Sequence, residues 1–265
     1  YAEARHYLGL ALEAKGDPEK AIEQLQEAAR LNPTSAPILN SLGRVLQQAG
    51  YPDDAAAALR KSIELAPNST ETHNNLGLVL LKQGDGDGAI RQFQTVVKLD
   101  ARHLAARNNL GLALLQKAKW DAAVAEYRAL IELDPANAEA HYNLGVALKQ
   151  KEDFQGASDA LLKAIRTDPG LPEPYYTLGV ILWQQGKLEE AAAEFRAAIQ
   201  ARPEYQQAHS ILGSVLRQKG DLDGALEALR TALRLEPSDA GAHQALGTVL
   251  RQKGDMAGPA EEFKK

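Results

Sequence analysis

The sequence predicts an all-α chain, an α-solenoid of stacked antiparallel helix pairs, and three observations carry that prediction. The dipeptide Leu-Gly returns at Leu8-Gly9, Leu42-Gly43, Leu76-Gly77, Leu110-Gly111, Leu144-Gly145, Leu178-Gly179, Leu212-Gly213 and Leu246-Gly247, always 34 residues apart. A second Leu follows each first one by four residues, from Leu12 to Leu250, so both lie on one helical face. Thirteen residues after the first Leu stands Ala21, Ala55, Ala89, Ala123, Ala157, Ala191 and Ala225, with Pro259 breaking the series. A bulky residue follows four further on: Leu25, Leu59, Phe93, Tyr127, Leu161, Phe195, Leu229 and Phe263. A phrase repeated at a fixed period is a structural unit that buries its apolar face against its neighbours.

The elements of one repeat follow in order once the first Leu is numbered place 7. Repeats then span 2–35, 36–69, 70–103, 104–137, 138–171, 172–205 and 206–239, with 240–265 partial. Helix A carries the two Leu at places 7 and 11. Gly inside a helix costs about 1 kcal/mol relative to Ala, so a Gly at place 8 of every repeat implies close backbone approach. Gly at place 8 and Ala at place 20 are expected to let helices A and B touch.

The turn between them raises a question in the third repeat, where "KQGDGDGAIRQF" resembles a calcium loop. Such a loop needs oxygen ligands at its first, third and fifth positions and Gly at its sixth. Counting from Asp85, those last two are Ala89 and Ile90, so the ligand set fails. Asp85 to Gly88 is expected to be the turn into helix B. It should be locally soft, because Gly86 stands at place 17 where other repeats have Trp120, Phe154 or Leu222. Helix B ends before the Pro of place 32, present as Pro33, Pro67, Pro135, Pro169, Pro203 and Pro237, with Ala101 the exception, since Pro cannot continue a helix interior.

With this pattern the chain resembles the tetratricopeptide repeat proteins over essentially its whole length. The resemblance implies a single array over 1–265, wound as a right-handed superhelix with helix A lining a concave groove that binds extended peptides. Eight repeats would make roughly one superhelical turn. Because the pattern is running at both ends, the chain is expected to be part of a longer protein.

Composition narrows the function. With 30 basic and 35 acidic residues and pI near 5.8, no global cationic field draws the chain onto nucleic acid or anionic lipid, and neither partner is expected. The absence of Cys excludes disulfides, thiolate metal sites and Cys nucleophiles. No apolar run reaches the length of a membrane span, so no membrane insertion and a soluble setting are expected; the sequence names no compartment, with the cytoplasm favoured. His73, His141, His209 and His243 all stand at place 4, which the resemblance implies is a packing position. They recur one per repeat and do not form a ligand set. No nucleophile elbow, phosphate loop or H-E-x-x-H motif occurs, so neither catalysis nor a cofactor is expected.

Helical geometry sets places 2, 5, 6, 9, 12 and 13 opposite the packed side of helix A, and the resemblance implies that this opposite side faces the groove. Place 5 includes Asn40, Asn74, Asn108, Tyr142 and Tyr176, and place 6 adds Asn75, Asn109 and Asn143. Carboxamides donate and accept at once, which suits the N–H and C=O of an extended peptide. Place 9 brings Leu78, Leu112, Val146 and Val180; place 12 brings Leu81, Leu115 and Trp183, then the cations Lys149, Arg217 and Arg251. An apolar segment followed by an acidic one would match. Trp183 with Tyr142 and Tyr176 forms the expected hot spot. For each set a second reading stands beside the first: Asn at place 6, the apolar side chains of place 9 and the aromatic rings also suit packing between repeats.

One branch of the family clamps acidic chaperone tails with Lys at place 5 and Asn at place 9. Here those pairs are His6 with Leu10, Asn40 with Arg44, Asn74 with Leu78 and Asn108 with Leu112, so that clamp is absent. The leading expectation is a noncatalytic protein-interaction scaffold. The Asn rows also resemble those of O-linked N-acetylglucosamine transferase, which implies, as an alternative, the substrate-recognition arm of a larger enzyme. A third expectation is self-association through the array ends, because the eighth repeat closes on Phe263, Lys264 and Lys265 without a polar capping helix.

Overall fold

Each Leu-Gly pair sits within a helix of 13 or 14 residues, and each is followed through a short turn by a 14-residue helix, as far as the described residues run. The computed structural model describes residues 1–254. Pro259, Phe263, Lys264 and Lys265 lie outside the described residues. Backbone packing groups the chain into two compact units, Tyr1–Pro135 and Ala136–Lys265. In the N-terminal unit the order is α1 (Ala2–Ala14), α2 (Pro18–Leu31), α3 (Ala36–Gln48), α4 (Pro52–Leu65), α5 (Thr70–Lys82), α6 (Gly86–Leu99), α7 (Leu104–Gln116) and α8 (Trp120–Leu133). In the C-terminal unit it is α9 (Ala138–Gln150), α10 (Phe154–Thr167), α11 (Pro172–Gln184), α12 (Leu188–Ala201), α13 (Gln206–Lys219), α14 (Leu222–Leu235) and α15 (Ala240–Gln252). Odd-numbered helices are helix A of their repeats and even-numbered ones helix B. Each unit is an all-α solenoid.

The place-24 residue fills the seam of each pair. Leu25, Leu59, Phe93, Tyr127, Leu161, Phe195 and Leu229 are all fully buried, as is every Ala of place 20 from Ala21 to Ala225. Burying such a side chain contributes about 1.5–3 kcal/mol. The Gly of place 8 lies directly over this residue, not chiefly over the Ala. A Cβ on Gly43 would stand 2.5 Å from Leu59 Cγ, with the Ala55 carbonyl oxygen at 3.1 Å. The close approach inferred from sequence is therefore real, and place 24 is its main partner.

The turn also differs from the expectation in detail. Helix α6 already begins at Gly86, and the Asp85 carboxylate caps it by accepting the Gly88 N–H at 2.8 Å. Gly88 belongs to the first helical turn because the cap supplies what its N–H would otherwise lack. Gly86 is buried, with the Lys117 stem close enough that a Cβ there would meet Lys117 Cδ at 2.9 Å. The residue in the left-handed region is that of place 15: Gly16, Gly50, Gly84, Gly186, Gly220 and Gly254, replaced by Ala118 and Glu152 in two repeats.

Within the units several neighbouring A helices touch, namely α1 with α3, α3 with α5, α5 with α7, α9 with α11 and α13 with α15, whereas no two B helices meet in the same way among the described residues. The A helices therefore form the tighter, inner face of each unit.

Candidate functional site

The inner face of the N-terminal unit is a polar ladder beside an apolar strip. The place-6 side chain of one repeat bonds the place-5 side chain of the repeat before it. His6 Nε2 lies 2.8 Å from Ser41 Oγ, Asn75 Nδ2 donates to Asn40 Oδ1 at 3.0 Å, and Asn109 Nδ2 donates to Asn74 Oδ1 at 3.2 Å. Asn40 donates in turn to Glu71 Oε1 at 2.8 Å. Asn40 and Asn75 are buried, while Asn74, Asn108 and Asn109 are half-buried. The carboxamides that sequence offered to a peptide thus hold neighbouring repeats together in good part, because buried polar groups need partners. Burial also lowers the His6 imidazole pKa.

The apolar strip behaves otherwise. Leu78 and Leu81 on α5 and Leu112 and Leu115 on α7 remain half-buried, while the packed-side residues Leu76, Leu80, Leu110 and Leu114 are nearly sealed. The nearby cation Arg44 is taken up by Glu13, its Nη2 donating to Oε2 at 2.7 Å.

In the C-terminal unit aromatic rings replace the Asn ladder. Tyr142 is hydrogen-bonded to Thr177, the same place-5 to place-6 step, and burial raises its phenol pKa. Tyr176 lies against Tyr205, ring centroids 5.1 Å apart, and edge-on to Phe195 at 5.7 Å. Arg202 stacks over the Tyr205 ring at 5.2 Å and bonds Glu173 at 2.7 Å. Burial pushes the Tyr205 phenol up to about 12. Trp183 is tethered, its Nε1–H donating to Gln218 Oε1 at 2.9 Å, and is otherwise half-buried. Asn143, Val146, Lys149, Val180 and Arg217 are half-buried and Arg251 is exposed.

Two networks were missed by reasoning from sequence. Place 4 anchors the loop: the Nε2 atoms of His73, His209 and His243 lie 2.9 Å from the carbonyls of Pro67, Pro203 and Pro237. Arg107 does the same where His is absent, donating Nε to the Ala101 carbonyl at 2.8 Å. The six-residue spacing from place 32 to place 4 could have signalled this. Place 18 and place 14 of the next repeat form a second ladder: Gln83 to Asp53 at 2.7 Å, Lys117 to Asp87 at 2.8 Å, Lys219 to Glu189 at 2.5 Å, and Lys253 to Asp223. Recurrent Asp or Glu at place 18 was its visible trace.

Away from the inner face, two matching clefts open between successive B helices, one per unit, of about 380 and 350 Å³. They share places, with Arg60, Leu76 and Gly88 lining one and Arg196, Leu212 and Gly224 the other. Each Gly is explained by its Asp cap. No group of three or more metal-ligating side chains occurs among the described residues, nor is any helix there long and apolar enough to cross a membrane.

Comparison with known proteins agrees with this architecture. Residues 69–265 match the family model described as "Cilia and flagella-associated protein 70 C-terminal domain", and residues 2–35 and 36–69 each match a tetratricopeptide repeat model. Among solved structures, the C-terminal part of a tetratricopeptide repeat protein of Cytophaga hutchinsonii aligns with TM-score 0.74 at 18% identity, covering 91% of this chain and 99% of that one. MamA of Desulfovibrio magneticus RS-1 aligns with TM-score 0.61 at 25% identity, covering 64% and 96%. YrrB, described as having an unusual peptide-binding site, aligns with TM-score 0.56 at 23% identity, covering 72% and 98%. No curated protein matches the chain.

Proposed function

The chain belongs to the tetratricopeptide repeat family, and from that premise we propose that it is a noncatalytic interaction scaffold whose A-helix faces bind an extended segment of a partner protein. The observation that carries this reading is the apolar strip of the N-terminal unit. Leu78, Leu81, Leu112 and Leu115 stand half-buried on adjoining helices beside a polar ladder. A solvated face has no use for such a strip, and hydrogen bonds to a main chain, at about 0.5–1.5 kcal/mol net each, need apolar pockets beside them to hold a peptide. YrrB gives a precedent of the same fold for a peptide site.

The test is a proteome-derived peptide-display selection on the intact chain and on a Leu81→Ser, Leu115→Ser variant, with the far-UV spectrum and Tm of both recorded. Enriched peptides should bind the parent at least tenfold more tightly than a variant that keeps its helices. Selection of nothing, or of peptides indifferent to the substitutions, would remove the reading.

A further inference from the structure

We propose that α11, α13 and α15 together recognise an acidic extended segment that carries one large apolar residue beside its carboxylates. The inference rests on the peptide-scaffold reading above and adds the chemistry of the partner.

The protein as a whole is acidic, with formal net charge −5, yet this face is not. Neither α13 nor α15 contains a single carboxylate. At place 12 they carry Arg217 and Arg251, which form no ion pair among the described residues. The carboxylates next in sequence to Arg217 are already engaged: Asp221 caps α14 at Gly224 N–H, and Asp223 pairs with Lys253. The contrast with the N-terminal unit is direct, since Arg44 there is neutralised by Glu13. Two guanidinium groups without a counterion among the described residues, on one inner face, are poised for carboxylates from outside the chain. Part of their placement serves the α13 and α15 C-termini, where a cation is favoured by only about 0.3–1 kcal/mol.

The apolar end of the site is α11. Val180 and Trp183 lie one turn apart, and the indole is held by Gln218 of α13, the residue that follows Arg217 in the chain. A tethered aromatic ring loses little entropy when a side chain packs on it. Adjacent helices lie about 8–10 Å apart, and an extended chain rises about 3.3 Å per residue. Carboxylates about three residues apart would therefore meet Arg217 and Arg251 in turn, with the apolar residue a similar distance beyond, on Trp183.

The test uses the intact chain and fluorescein-labelled peptides with one Phe followed by Glu at every third position and Ser between, or Gln in place of every Glu. Fluorescence polarisation should show the Glu peptide binding about tenfold more tightly than the Gln peptide. Raising salt from about 0.05 to about 0.5 M should weaken only the former. Arg217→Gln with Arg251→Gln should bring the Glu peptide down to the level of the Gln peptide, while Tm stays within about 1 °C of the parent. Equal binding of the two peptides, or a Glu peptide indifferent to the double substitution, overturns the proposal. If both peptides bind equally and Trp183→Ala abolishes both, the scaffold reading stands and the acidic preference falls. If neither binds although display-selected peptides do, the outcome is the same. If selection also fails, both readings fall.

Discussion

Asn40 and Arg217 occupy the inner faces of two different units, and their surroundings differ in kind. Asn40 is buried and bonded to both Glu71 and Asn75, and its near neighbour Arg44 is closed by Glu13. Arg217 is half-buried, with no carboxylate anywhere on its own helix. One repeat pattern thus supplies a face that satisfies itself and a face that leaves charge over. Groups already paired inside the chain stabilise it, whereas those left without a partner are available to a ligand.

The largest expected effect breaks the assumption that the repeats are interchangeable. Gly77 and Gly179 both lie over a place-24 Phe, but a Cβ would stand 2.5 Å from the nearest Phe93 carbon and 3.0 Å from the nearest Phe195 carbon. Gly77→Ala should therefore destabilise by about 3 kcal/mol, as overpacking does. Gly179→Ala should cost less than half of that, because at 3.0 Å the Phe195 ring need yield by only a few tenths of an ångström, while both helices gain the same roughly 1 kcal/mol from Ala. Urea unfolding of the two variants checks this, and equal losses would remove the distinction.

The next effect bears on the faces themselves. Asn40→Ala leaves the Asn75 amide and Glu71 without their partner and is expected to cost about 2 kcal/mol. Arg217→Gln should change stability by no more than about 0.5 kcal/mol. Parallel thermal melts decide it, and a stability loss at Arg217 matching that at Asn40 would make both faces structural.

A gain is expected at Tyr127. Its ring fills place 24 under Gly111, where Phe93 and Phe195 serve elsewhere, and its hydroxyl is buried without a hydrogen-bond partner among the described residues, so burial holds the phenol pKa well above normal. Tyr127→Phe should stabilise by about 1 kcal/mol, read as a higher urea midpoint at unchanged slope.

The smallest effect is electrostatic. Hydrogen bonds from Lys117 and then Lys119 hold the Asp87 carboxyl at about 2, below its ordinary 3.8. A depressed folded pKa contributes stability that is present above the unfolded value and lost as pH falls through the folded one. The difference in Tm between the parent and Asp87→Asn should therefore be full above about pH 4 and vanish toward pH 2. Because the group is exposed, about 0.5 M salt should shrink that difference at every pH.

The sequence by itself determined the helices and their pairing. The 34-residue return of Leu-Gly, the Leu four residues on, and the Pro of place 32 specify where an apolar face runs and where it must stop, because helical period and backbone chemistry are local properties. That helices A and B approach closely at the Gly of place 8 was legible too, but that this Gly lies over the place-24 residue more than over the Ala of place 20 was not. The site was legible only as a set of places. That Asn75 reaches Asn40 across 35 residues, that Glu13 closes Arg44, that Lys117 covers Gly86, and that Arg217 has no such partner among the described residues were decided by tertiary structure. Hydrogen bonds and ion pairs between repeats depend on which side chains the stacking brings within about 3 Å. The repeat pattern shows which places recur, such as the Asp or Glu of place 18, but not which side chain each one meets.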